Sequence, residues 1–120
     1  MGKSNALGAW GEDLALAFLQ NKGYQLVTRN YRSRYGEIDL IVKNQAFLVF
    51  VEVKLRKSAE FATAAEYVDA RKQAKLRTTA EFWLMDNDTA LQPRFDVVEI
   101  YAPYGLQTRF PRFYHWEDAF

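Results

Sequence analysis

The stretch from Gly36 to Lys54, reading GEIDLIVKNQAFLVFVEVK, constrains the chain more than any other. Two apolar, β-branched runs flank the polar pair Asn44-Gln45, which is the pattern of a β-hairpin. Side chains alternate between the two faces of a strand. In the first run Ile38, Leu40 and Val42 therefore share one face, and Glu37, Asp39 and Ile41 share the other. In the second, Phe47, Val49, Val51 and Val53 oppose Leu48, Phe50, Glu52 and Lys54. A two-residue Asn44-Gln45 loop puts Leu40 across from Val49, Asp39 across from Phe50 and Glu37 across from Glu52. Asp39 and Glu52 then stand diagonally, roughly 7–8 Å apart at Cα. A loop one residue longer would send Asp39 to the face away from Glu52.

Like charges gathered on a half-apolar strand face destabilise it unless something compensates. Lys54 supplies one positive charge. A divalent cation would supply more, since hard cations such as magnesium take oxygen ligands and often need only one or two carboxylates plus water. The plainer alternative is a solvated strand face with a surface salt bridge, which sits poorly in runs this apolar.

An Asp on one strand followed by E-x-K on the next resembles the PD-(D/E)xK nuclease superfamily, with Asp39, Glu52 and Lys54 at the motif positions. The wording GEIDLI with FVEVK looks more specifically like a small bacterial family of uncharacterised, endonuclease-like proteins, itself similar to archaeal Holliday-junction resolvases. GEDLA near the start, RNYRSR before the hairpin, RFDVV late and the final AF extend the resemblance over nearly the whole chain. It implies an α/β fold with a restriction-endonuclease-like core and a magnesium- or manganese-dependent endonuclease acting on nucleic acid, DNA above all, branched or junction DNA included. Asp39 and Glu52 would hold the ion, with the Val53 carbonyl as a further ligand. Lys54 would orient the attacking water or stabilise developing charge. An acid on the first helix joins the site in the junction-resolving relatives, and Glu12 is the matching position. Glu37 is a secondary candidate. Paired cuts in a junction would require a symmetric homodimer.

A length of 120 residues predicts one domain with one core. The absence of cysteine excludes disulfides, thiolate zinc sites and cysteine catalysis. No apolar run approaches the roughly 20 residues of a membrane span, and MGKSNAL lacks the apolar core of a signal peptide, so no membrane partner and a cytoplasmic location are expected. The net charge of +1 gives no global pull toward nucleic acid, but ten of the sixteen Lys and Arg residues fall in three short clusters. These are Arg29, Arg32 and Arg34; Lys54, Arg56 and Lys57; and Arg71, Lys72, Lys75 and Arg77. Arg32, Arg34, Arg56, Arg71, Lys72 and Lys75 are the candidate phosphate contacts; plain solvated faces are the alternative.

Around the hairpin, a helix is expected from about Asn5 to Lys22, stopped by Gly23. Leu7, Leu14 and Phe18 make one apolar stripe with Trp10 beside it, and Leu16 and Leu19 a second that carries Glu12 toward an interior or cleft. Asp13, on the polar side, suits the helix dipole. Tyr24 to Tyr31 reads as a strand, leading through a basic turn at Arg32 and Arg34. Ser58 to Val68 is alanine-rich and partly irregular. Asp69 is an N-cap for a helix ending near Leu84 or Met85, with Leu76, Ala80, Trp83 and Leu84 buried. Phe95 to Tyr101 reads as another strand. The aromatic tail from Pro103 to Phe120 is expected to pack on the core, the alternative being base stacking between its arginines. His115 has no carboxylate pattern beside it in the tail, which points to a structural role. The order of elements gives a mixed sheet with helices on its faces. The competing function is a non-catalytic nucleic-acid- or protein-binding module on the same fold.

Overall fold

The computed structural model describes residues 6–57 and 69–120. The segment 58–68, expected to be partly irregular, lies outside the described residues, as does the first residue of the expected N-terminal helix. Helix α1 spans Ala6–Asn21, followed by strands β1 (Gln25–Ser33), β2 (Gly36–Lys43) and β3 (Phe47–Arg56). Helix α2 (Ala70–Asp86), strand β4 (Gln92–Tyr101), a 3-10 turn (Gly105–Gln107) and strand β5 (Arg112–Trp116) complete the order. The five strands form one mixed sheet in chain order. Neighbours are antiparallel except β3 and β4, which run parallel. That parallel pair needs a crossover, and α2 lies within it. The result is an α/β fold of a five-stranded mixed sheet with two helices among the described residues, compatible with a restriction-endonuclease-like core.

The two faces of the sheet sort the apolar residues. Leu40, Val42, Val49, Val51, Val98 and Ile100 join Ala15 and Leu19 of α1 in one buried cluster. Ile41, Leu48, Phe50 and Val97 join Leu76, Ala80 and Trp83 of α2 in the other. Of the expected stripe of α2, Leu76, Ala80 and Trp83 are buried and Leu84 is half-buried against the same cluster, and Asp69 caps the helix by accepting from the Lys72 backbone N–H at 2.9 Å. The buried line of α1 is Gly11, Ala15 and Leu19; Leu19 belongs to the second stripe read from the sequence, while the small Gly11 and Ala15 belong to neither. A Cβ on Gly11 would stand 3.0 Å from a methyl of Leu55. The missing side chain is what lets α1 approach β3 so closely.

The hairpin register differs from the expected one. Leu40 pairs with Val51 and Val42 with Val49, two positions along from the two-residue loop. Asn44 is the cause: its side-chain oxygen accepts from the N–H groups of Ala46 (2.9 Å) and Phe47 (2.8 Å), and its own N–H donates to the Phe47 carbonyl at 3.0 Å. An Asn-centred turn replaces the tighter loop. A shift of two preserves parity, so the β3 faces stand as read. The β2 faces do not. Ile38 packs in the α2 layer with Ile41 rather than with Leu40 and Val42. Alternation fails because β2 is irregular at Asp39. The ladder to β3 ends at Leu40–Val51. On the other edge Asn30, between the Arg29–Leu40 and Tyr31–Ile38 pairs, has φ 53°.

Part of the aromatic tail packs as expected. Strand β5 pairs with β4, Phe18 and Phe113 stack at 4.8 Å, and Trp116 and Phe120 join the α2-side cluster. Tyr104 and Phe110 are corrections, being 74% and 86% exposed. His115 does meet a carboxylate, but from β4: its Nε2 lies 2.7 Å from Asp96 Oδ2. Asp96 also accepts from Arg94 Nε (2.9 Å) and Nη2 (2.8 Å) and from the Asp118 backbone N–H (3.0 Å). Burial would raise the Asp96 pKa, but these hydrogen bonds outweigh it and hold the carboxyl below its usual range. The network ties the tail to β4, which is a structural role.

Candidate functional site

Where the β2–β3 ladder stops, the Asp39 carboxylate stands in for the missing backbone carbonyl. Its Oδ2 accepts the Val53 backbone N–H at 2.8 Å. The N–H and C=O of one strand residue point toward the same neighbour, so the Val53 carbonyl faces the same opening. Continuing the register one step sets Asp39 directly across from Glu52 rather than diagonal to it. Burial, then the charge of Glu52, raises the Asp39 pKa to about 7; the Val53 hydrogen bond opposes the shift, while Glu12 and Glu37 add to it. A half-buried carboxyl whose pKa three neighbouring acids help to raise is an unusual thing for a strand to keep.

Glu52 is buried on the α2 side of β3. Lys72, from the first turn of α2, donates to Glu52 Oε2 at 2.7 Å, and Lys54 Nζ lies 3.5 Å from the same oxygen. The two lysines differ. Burial, then the neighbouring Lys72, lowers the Lys54 pKa against the pull of Glu52. Burial also works against Lys72, but its hydrogen bond to Glu52 prevails and its pKa rises. The site thus holds an acid whose pKa is raised to about 7 and an amine whose pKa is lowered by burial.

Glu12, on α1, is half-buried with an 18% exposed side chain, in keeping with the inward-facing position read from the sequence. Its Oε1 accepts from Arg29 at 3.3 Å, and Arg29 also donates to the exposed Asp13 at 2.8 Å. Glu12 reaches Asp39 through its charge alone. Glu37 pairs with Arg32 at 3.3 Å. Among the described residues no three acids cluster closely enough to form a ready ion cage, because Glu52 and Glu12 turn toward cations instead.

The expected phosphate contacts divide. Arg34, Arg71 and Lys75 are exposed. Arg32 is exposed beside Glu37. Arg56 turns inward, 3.7 Å from the buried Glu99, and Lys72 belongs to the acid site itself. Arg77 lies over the rings of Phe95 (5.1 Å) and Phe120 (5.7 Å), so the third cluster is split over different parts of the surface. The sequence reading did not reach Lys72 as a partner of Glu52, since only the packing of α2 on β3 brings them together. It also passed over Tyr35 and Phe82, which stack on the surface.

Residues 11–100 match the family described as Uncharacterised protein family UPF0102. The chain belongs to the UPF0102 family. The matched span begins one residue before Glu12 and includes Asp39, Glu52, Lys54 and Lys72, while β5 lies beyond it. A UPF0102 protein of Rhodococcus opacus (strain B4) is 45% identical over 121 residues, covering 100% of both chains. One from Flavobacterium psychrophilum is 36% identical, covering 100% of this chain and 98% of its own. One from Neisseria meningitidis serogroup C is 48% identical over 94 residues, 78% of this chain and 82% of its own. Membership therefore spans distant bacteria at nearly full length. No described helix is long and apolar enough to cross a membrane.

Proposed function

We propose that this UPF0102 chain is a metal-dependent nuclease of the PD-(D/E)xK type, hydrolysing phosphodiester bonds in nucleic acid, with DNA as the first substrate to try. One observation carries the reading: Asp39 is half-buried beside Glu52, burial and that neighbouring charge raise its pKa to about 7, and Lys54 stands 3.5 Å from Glu52. The donor set fits a hard divalent ion. Asp39, Glu52 and the Val53 carbonyl are all oxygen donors, and magnesium or manganese needs few protein ligands beside water. Glu12 and Glu37 would add negative potential at the rim. Such an ion would polarise the scissile phosphate and acidify a bound water.

The chain's own residues supply the rest. The Val53 N–H fixes the orientation of the Asp39 carboxylate. Lys72 withdraws to Glu52 in this arrangement and is positioned to exchange that partner for a phosphate oxygen. Lys54, with its lowered pKa, holds or takes a proton at Nζ near the attacking water. Arg34, Arg71 and Lys75 offer exposed charge to the backbone of the substrate.

The competing reading, a binding module without catalysis, draws on the lysines that already satisfy Glu52. Titration calorimetry with manganese chloride separates the two. The nuclease reading expects saturable binding that is lost in Asp39→Asn and Glu52→Gln. Near pH 7 it also expects release of part of a proton, because Asp39 is partly protonated before binding. Absence of saturable heat, or variants that bind like the parent, would leave only the binding module.

A further inference from the structure

On the flank of the site next to α2, the turn between β1 and β2 carries Tyr35, whose ring lies 5.6 Å from that of Phe82 with 8° between planes. The pair belongs to neither buried cluster. Tyr35 is 45% exposed and Phe82 36% exposed. The two rings tie the turn to α2 and still leave aromatic surface in water outside the core.

The pair is held rigidly. Ser33 Oγ lies 3.0 Å from Thr79 Oγ1 of α2, and the Tyr35 N–H donates to Ser33 Oγ at 3.0 Å. Gly36 lies against the same helix: a Cβ there would stand 3.4 Å from Thr79 Oγ1 and 3.9 Å from the Lys75 Cβ. The rim is cationic. The Arg34 guanidinium lies over the Tyr35 ring at 5.7 Å, and Lys75 is exposed on the neighbouring turn of α2. Three residues of β2 separate Tyr35 from Asp39, four steps or a path of about 13 Å at strand rise.

We infer that Tyr35 and Phe82, with Arg34 and Lys75, form a base-stacking subsite, and that the substrate of the neighbouring acid site is unpaired nucleic acid. This rests on the nuclease reading of that site and names its substrate class. Inside a duplex each base face is covered by the next base, so a surface aromatic finds a free face only on an unpaired nucleotide. Stacking on rings is indifferent to sequence, and the cations follow the phosphates. A strand lying on the platform would lead its backbone past Lys75 toward Asp39 and Glu52.

Fluorescence anisotropy in EDTA, where no strand is cut, tests this with a labelled single-stranded oligothymidylate and a labelled blunt duplex. Tyr35→Ala with Phe82→Ala should weaken single-strand affinity about tenfold or more and duplex affinity much less, with circular dichroism unchanged. Tyr35→Phe with native Phe82 should bind like the parent. A double variant that keeps its single-strand affinity overturns the subsite. So does an equal loss on both ligands. If such a variant coexists with a parent that cuts duplexes, the subsite fails and the nuclease reading stands. If the parent binds neither ligand and cuts nothing, both fall together.

Discussion

A carboxyl that titrates near pH 7 makes stability depend on pH in a range where other acids are silent. Asp39 has a folded pKa raised to about 7, against roughly 3.9 for an unfolded chain. Between those values the folded state binds more protons than the unfolded one. Its contribution to stability is therefore fully present below about pH 4 and is lost as pH rises through 7, by an amount on the order of a few kcal/mol. Asp96 has the opposite dependence, its stabilisation fading as pH falls below the ordinary carboxylate range. Asp39→Asn keeps an acceptor for the Val53 N–H and removes the charge. In urea titrations of the metal-free protein it should be more stable than the parent at pH 8 and should flatten the decline between pH 4 and 8. A variant that is less stable at pH 8, with the decline intact, would show that Asp39 is not the strained group. The residues of this site were legible in the sequence because E-x-K keeps Glu52 and Lys54 on one face whatever the hairpin register. The carboxylate of Asp39 in the β2–β3 opening was not, since alternation presumes a regular pleat and β2 is irregular there.

At the scale of elements, α1 and α2 cover opposite faces of the sheet, and their distance from it decides which charges meet. Helix α2 brings Lys72 to Glu52. Helix α1 brings Glu12 within electrostatic reach of Asp39 by resting Gly11 on Leu55. Gly11→Leu would force the helix away. Despite a better helix propensity than glycine, it should cost about 1–3 kcal/mol by overpacking, read by urea denaturation at fixed pH. Ala17→Leu, on the exposed side, should change stability by less than about 0.5 kcal/mol. Equal stabilities for the two variants would contradict the close seating of α1. The apolar stripes on α1 were visible in the sequence and included Leu19 of the buried line, but Gly11 and Ala15 were not: they carry little hydrophobic signal, and their importance lies in being small. Strand β5 was hidden for the opposite reason. Its residues, RFYHW, read as packing aromatics, and only the Asp96 network with Arg94 and His115 shows them extended along β4.

For the whole molecule, near-neutral net charge conceals an uneven distribution, with half-buried acids around Asp39 and cations exposed on the surface. Arg34, Arg71 and Lys75 are exposed, whereas Arg29, Arg32 and Arg56 face acids of their own. Counting basic clusters along the sequence could not separate these, because pairing depends on which strand or helix lies opposite. The same distribution states the central claim: the cations bring a phosphodiester to the site, and the acids with Lys54 break it. Cleavage of a panel of single-stranded, flapped, branched and duplex DNAs and of RNA, with magnesium or manganese and with EDTA, tests it most directly. The parent should cut at least one of them only when the ion is present. Asp39→Asn and Lys54→Ala, purified and folded, should lose at least about a hundredfold in rate. A parent inert on every substrate with either ion, or an Asp39→Asn variant that cuts like the parent, would contradict the account.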